Sequence, residues 1–178
     1  MKSTDIINFA KIVGKLKKIK RTGWVREGVV EPESVAEHSF RLIVLAMTLG
    51  DYFEVDKEKL IKMAIIHDLG ETSTGDLVVE RGIVVNDLNK RDKEQREEKA
   101  ISELFQEFSP DYKNIFREMI ERKSKEALLF WQLDKLEMAM QAKEYEEEQD
   151  KVLTEFIENA DHHITDPLLK EILHKLSE

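Results

Sequence analysis

Two imidazoles and two carboxylates fall on the apolar sides of helical patterns in this chain, where such groups need a chemical reason to sit. There are five histidines, at 38, 67, 162, 163 and 174. His38 is in line with Leu42 and Leu45 on one helical stripe. His67 ends a run whose apolar side is Leu60, Met63 and Ala64, and Asp68 follows it directly. Asp134 sits in LLFWQLDKLEMAM, with Phe130 and Trp131 shortly before it and Met138 one turn after. An ionised carboxylate on such a face is expensive unless something positive meets it. One histidine alone would most simply be a hydrogen-bonded core residue. His38, His67, Asp68 and Asp134 taken together are better explained by one divalent cation, because coordination satisfies all four buried polar groups at once. Imidazole plus carboxylate suits a hard-to-borderline metal.

The three segments that carry these residues are PESVAEHSFR (32–41), AIIHDLGETSTGD (64–76) and LDKLEMAMQA (133–142). In combination they resemble the HD domain metal-dependent phosphohydrolases, and within them the 5′-deoxynucleotidase branch of YfbR-like and HDDC2-like proteins. The resemblance runs from the first helix to about residue 150. It implies an all-helical fold, usually dimeric, with one divalent ion (Mn²⁺, Co²⁺, Fe²⁺, Ni²⁺ or Zn²⁺) on His38, His67, Asp68 and Asp134. It also implies hydrolysis of deoxyribonucleoside 5′-monophosphates. Some HD proteins hold two metals through extra histidines before the last aspartate. No histidine lies between Asp68 and Asp134, which favours one metal and weakens a cyclic-nucleotide phosphodiesterase reading.

The same resemblance assigns the catalytic step to Glu71 and Asp76, three and eight residues beyond Asp68. A carboxylate beside a metal-activated water can take its proton or protonate the leaving alkoxide; which residue does which is open. Arg21, in KIKRTGW, matches a residue the family uses on the phosphate, whose oxygens a guanidinium fork fits. The bacterial nucleotidases carry Trp directly after that Arg. This chain has Thr22 there and Trp24 two positions later, as in the HDDC2-like members. Trp24 is then a candidate wall of the sugar pocket.

Composition limits the alternatives. The 178 residues suit one domain, 1–178. Net charge is −9, the wrong sign for coating long nucleic acid, although a local Arg or a metal can still hold a nucleotide. With no cysteine, thiolate zinc sites, iron–sulfur clusters and thiol nucleophiles are excluded. The longest stretch free of Asp, Glu, Lys and Arg is Leu42–Gly50, nine residues, against about 20 for a bilayer span. The start, MKSTDIINFAK, lacks a signal-peptide layout, so a cytoplasmic protein is expected.

The elements that must position the site read as helices. Ile6, Phe9, Val13, Leu16 and Ile19 mark a first helix, and residues 20–33 read as a loop. Ser34 and Glu37 form a capping box for a second helix, behind which Leu42, Leu45, Ala46, Leu49 and Phe53 form an apolar stripe. A third follows Asp56 to His67, with Gly70 at its C-terminal end. Residues 71–86 read as irregular. Further helices are expected around Asp87–Glu107, after Ser109-Pro110, from Ser124 into the acidic run at 144–148, and after Asp166-Pro167. The expectation is an all-α bundle of about seven helices. His162 and His163, adjacent on a helix, point about 100° apart and are read as surface, as is His174. Two rivals differ in chemistry: an HD hydrolase acting on a nucleoside tri- or polyphosphate, and a helical interaction protein with a purely structural metal.

Overall fold

In the computed structural model, which describes residues 2–76 and 87–176, the chain is helical. The α-helices are α1 (Ser3–Val13), α2 (Thr22–Arg26), α3 (Val35–Leu49), α4 (Lys57–Ile66), α5 (Glu71–Thr74), α6 (Asp87–Leu104), α7 (Asp111–Glu121), α8 (Lys125–Gln149), α9 (Thr154–His163) and α10 (Pro167–Lys175). Among the described residues there is no β-strand, only an isolated antiparallel bridge between Lys20 and Ser34.

The stop and start signals act locally as their chemistry requires. The Ser34 hydroxyl accepts from the Glu37 amide, and the Glu37 carboxylate accepts from the Ser34 amide. Asp56 caps α4 through Lys59, Ser124 caps α8 through Ala127, and Asp166 caps α10 through Leu168 and Leu169. These caps satisfy amides that have no partner inside the helix. They also fix the registers from which His38, His67 and Asp134 point inward.

Helix α8 packs against α3, α4, α7, α9 and α10. Its buried side chains (Phe130, Leu133, Leu136 and Ala139 among them) spread around the helix rather than along one stripe, as expected of a helix covered on several sides. They join Leu42 and Ala46 of α3, Leu60 and Met63 of α4, Phe116 of α7 and Leu169 of α10 in one apolar core. A smaller cluster gathers Trp24, Val29, Ala142, Tyr145 and Leu153.

Three helices were not expected, and together with the seven that were they account for the ten α-helical segments among the described residues. Residues 20–33 contain α2, and Glu71–Thr74 forms α5; both are too short for an apolar period to show. Helix α9 spans TEFIENADHH, where Phe156, Ile157 and Ala160 offer only a brief apolar face. The first helix ends at Val13 and continues as a 3₁₀ turn over Gly14–Lys18 that still turns Leu16 into the core. Gly14 weakens the helix there, since glycine disfavours helix interiors by about 1 kcal/mol. Gly70 does not end a helix in the left-handed region: its φ of −60° and ψ of −28° are right-handed and it leads into α5. Residues 77–86 of the stretch read as irregular lie outside the described residues. Among the described residues, no helix is long and apolar enough to cross a membrane.

Because the Ser34 cap sets the register of α3, Ser34→Ala is expected to destabilise the protein by about 1 kcal/mol. Urea denaturation reads this as a lower midpoint at constant slope; an unmoved midpoint would show that the cap contributes nothing.

Candidate metal centre

Three helices converge on one point. Helix α3 supplies His38 from its first turns, the C-terminal end of α4 supplies His67 and Asp68, and the middle of α8 supplies Asp134. His38 Nε2 lies 3.3 Å from His67 Nε2 and 3.4 Å from Asp134 Oδ1. Asp68 Oδ2 is 2.9 Å from His67 Nε2 and 3.9 Å from His38 Nε2. His38, His67 and Asp134 each offer a ligand atom within 4.8 Å of the others.

The far sides of the two rings decide what the near sides can do. His67 Nδ1 faces the Ala64 carbonyl at 2.9 Å, which only accepts, so Nδ1 carries the proton. His38 Nδ1 meets the Glu137 carboxylate, which assigns it a proton in the same way. In the neutral tautomers both Nε2 atoms are then bare lone pairs facing each other, with two carboxylates beside them. Positive charge resolves that arrangement, either as protons on the rings donated to Asp68 and Asp134 or as a cation between them. The donor set of two imidazoles and two carboxylates fits a divalent cation.

The electrostatics agree. Burial opposes charging His38, yet Glu137 and Asp134 outweigh it and raise its pKa to about 9. Burial likewise opposes ionisation of Asp68, but His67, Arg21 and His38 hold its carboxyl well below the usual range. Asp134 is also held low, by Lys135, His38 and Arg21 against its burial. The cluster is built to attract a cation.

Glu71 behaves differently. It opens α5, its side chain is buried, and its Oε2 has no hydrogen-bond partner among the described residues. Burial, with Asp68 and Asp76 adding repulsion, pushes its pKa up to about 10. Asp76 follows Gly75, whose φ of 72° suits glycine. The Asp76 carboxylate accepts from the Thr22 amide, and its carbonyl accepts from the Thr22 hydroxyl at 2.8 Å. That clasp fixes the start of α2 beside the cluster. Arg21, the residue before, reaches Asp68 Oδ2 at 3.4 Å.

A cavity of about 560 Å³ opens beside these groups. Arg21, His67, Asp68, Glu71, Asp76 and Asp134 border it, together with apolar residues including Met119, Trp131, Met138 and Phe156. His38 stands behind this lining with no exposed surface. Trp24 also borders the cavity, but only 1% of it is exposed. Its indole N–H donates to Glu33, and its ring packs on Tyr145 and Phe156, which makes it chiefly a packing residue. His162 and His174 are exposed, as expected, whereas His163, also exposed, borders the cavity.

Several residues here went unread in the sequence. Glu137 is fully buried one turn after Asp134, and Arg41, one turn after His38, donates through Nε to it at 2.9 Å. Arg41 also bonds Gln141 and Glu144. Both positions share a helix face with a candidate ligand, a signal present in EHSFR and LDKLE. Lys93, Glu97 and Arg122 also border the cavity. They arrive by tertiary packing, with no local pattern to mark them.

The sequence profile of the HD domain matches residues 13–174. The 5′-deoxynucleotidase HDDC2 of Dictyostelium discoideum is 42% identical over 156 residues, covering 82% of this chain and 80% of that protein. The protein of the same name from Danio rerio is 35% identical over 180 residues, covering 98% and 87%. Among solved structures, a conserved hypothetical protein from Pyrococcus furiosus superposes with a TM-score of 0.80 at 36% identity, covering 96% and 98%. A predicted metal-dependent phosphohydrolase from Magnetospirillum magnetotacticum gives 0.72 at 25%, covering 97% and 92%. A profile spanning nearly the whole chain, close relatives of matching length and a shared helical architecture agree with the converging histidines and aspartates: the chain belongs to the HD domain family.

Proposed function

We propose that this protein is a metal-dependent phosphomonoesterase that hydrolyses nucleoside 5′-monophosphates, deoxy forms foremost, to nucleoside and phosphate. The observation that carries this reading is the pair of facing imidazole nitrogens, flanked by two carboxylates, at the edge of a cavity of about 560 Å³ beside Arg21. A cavity of that size is within the range of small-molecule sites. The relatives named 5′-deoxynucleotidase support the substrate class.

His38, His67, Asp68 and Asp134 would hold one ion, such as Mn²⁺, Co²⁺, Fe²⁺, Ni²⁺ or Zn²⁺. When bound, such an ion neutralises phosphoryl charge and acidifies a water. Glu137 and the Ala64 carbonyl keep the imidazoles oriented with Nε2 toward the centre. Arg21 binds the phosphate oxygens. Hydrolysis requires a proton taken from the attacking water and one given to the 5′ oxygen as its bond to phosphorus breaks. Glu71, kept protonated by burial and its neighbours, is the donor to the leaving oxygen. Asp76, clasped by Thr22, takes the water's proton. Trp131, Met138 and Phe156 offer the nucleoside an apolar wall. The buried, proton-poised carboxyl of Glu71 beside the ligand cluster favours an enzyme over a protein with a merely structural metal.

The direct check is phosphate release from dAMP, dGMP, dCMP and TMP beside the ribonucleotides. Turnover is expected with metal and near background after EDTA or in Asp68→Ala; full activity in both controls would remove the metal mechanism. Glu137→Ala is expected to weaken Mn²⁺ binding by about 10–100-fold, read by direct titration. Glu71→Gln is expected to lower kcat by about 10²–10⁴-fold. It also has a stability signature. A carboxyl raised from 4.5 to about 10 adds stability below its unfolded pKa and loses it as pH climbs toward the folded one. Glutamine has no proton to lose, so in chelator Glu71→Gln should gain Tm relative to the parent at pH 9 but not at pH 4.

A further inference from the structure

The charged end of the cavity is crowded with acid. Asp68, Glu71, Asp76, Asp134 and Glu97 all border it, and Arg21 comes to it from the start of α2. A phosphate monoester adds negative charge to that end. The cations already there are engaged: Arg21 with Asp68 at 3.4 Å, Lys135 with Asp134 at 3.2 Å, and Arg122 over the Trp131 ring at 4.0 Å.

A further cation reaches the same space from α6. Lys93 borders the cavity with its side chain 32% exposed, so it is accessible from the space a substrate would fill. Its ion pair with Glu97, one turn along α6, is loose: Nζ to Oε1 is 3.5 Å, longer than the roughly 2.7–3.2 Å of a good hydrogen bond. The ammonium therefore keeps donors to offer. Asp68, Glu71 and Asp76 lie within its electrostatic reach.

Gly70 accounts for how α6 comes so near. It lies between Asp68 and Glu71, and its right-handed backbone angles would accept any residue. A Cβ there would sit 3.3 Å from Glu97 Cα and 3.4 Å from Glu97 Cβ and O. The missing side chain is what lets the backbone of α6 rest directly on the segment that carries Asp68. Close packing at Glu97 brings in Lys93, on the same helix face one turn earlier.

Resting on the phosphomonoesterase reading, we infer that Lys93 is a phosphate-binding residue, which with Arg21 grips the phosphoryl oxygens of the substrate, and that Gly70 secures the helix approach that delivers it. Its ammonium donates to the phosphate in substrate and product alike, so it governs affinity for free phosphate as well as for nucleotide.

The test uses the full-length, Mn²⁺-loaded protein with Lys93→Met, Lys93→Arg and Gly70→Ala. Three quantities are measured: inorganic phosphate binding by calorimetry, kcat/KM on dAMP, and Mn²⁺ affinity. Lys93→Met is expected to weaken phosphate binding and lower kcat/KM by roughly 10–100-fold, the scale of a charge-assisted hydrogen bond, with Mn²⁺ affinity within about twofold. Lys93→Arg, which keeps the charge, should recover most of the phosphate affinity, and Gly70→Ala should lose part of it in a protein of unchanged helicity. Undiminished phosphate binding in Lys93→Met overturns the inference, as does equal loss in Lys93→Met and Lys93→Arg. Parent protein that binds phosphate but hydrolyses no nucleotide, with that binding weakened in Lys93→Met, would defeat the phosphomonoesterase reading and leave the phosphate-binding role of Lys93 supported.

Discussion

Two imidazole nitrogens held face to face are the constraint around which the rest is arranged. Each ring is fixed from behind by an acceptor: the Ala64 carbonyl for His67, and the Glu137 carboxylate for His38. Neither ring can turn its lone pair away without abandoning a buried hydrogen bond, which is costly in an apolar surrounding. Asp68 and Asp134 deepen the negative potential at the point where the lone pairs meet. The helices around this point serve to keep four polar groups from relaxing into separate, self-satisfied positions.

That constraint explains the composition of α8. A helix with Leu129, Phe130, Leu133, Leu136 and Ala139 buried is held rigidly by its neighbours. Into the same stretch it carries Asp134 and Glu137, one facing the centre and one backing His38. A buried carboxylate pair survives there only because each member is matched. Burial opposes the ionisation of Glu137, and His38 and Arg41 more than compensate. Arg41 then fans out to Gln141 and Glu144, so the support behind His38 runs from the core to the protein surface.

The cavity divides its labour by polarity. Its acidic end has the features of a phosphoryl-transfer site: candidate metal ligands, an arginine, a clasped aspartate and a glutamate kept protonated. The remainder mixes an apolar wall of Met119, Trp131, Met138 and Phe156, which suits a nucleoside, with polar groups such as Arg122, Asn159 and His163. The short elements matter more here than their length suggests. Helix α2 brings Thr22 to Asp76 and, just before it, Arg21 to Asp68, and α5 turns Glu71 inward.

The long helices, their caps, the helical class and the four candidate ligands were legible in the amino-acid order, because periodicity and capping are local and a carboxylate among Phe130, Trp131 and Met138 announces a partner. Glu137 and Arg41 were legible in principle, each one turn from a candidate ligand. Helices α2 and α5 were not, since four or five residues carry too little periodic signal, nor was α9, whose apolar face is brief and whose start has no capping side chain. Gly70 looked like a helix terminator because glycine usually frees a backbone angle, whereas here it frees space against Glu97. The sequence by itself determined which groups are too polar for the core to leave alone. Only the tertiary structure decided which of them meet, which nitrogen of each ring faces inward, and that Lys93 shares their cavity, because such distances depend on how helices remote in the chain pack together.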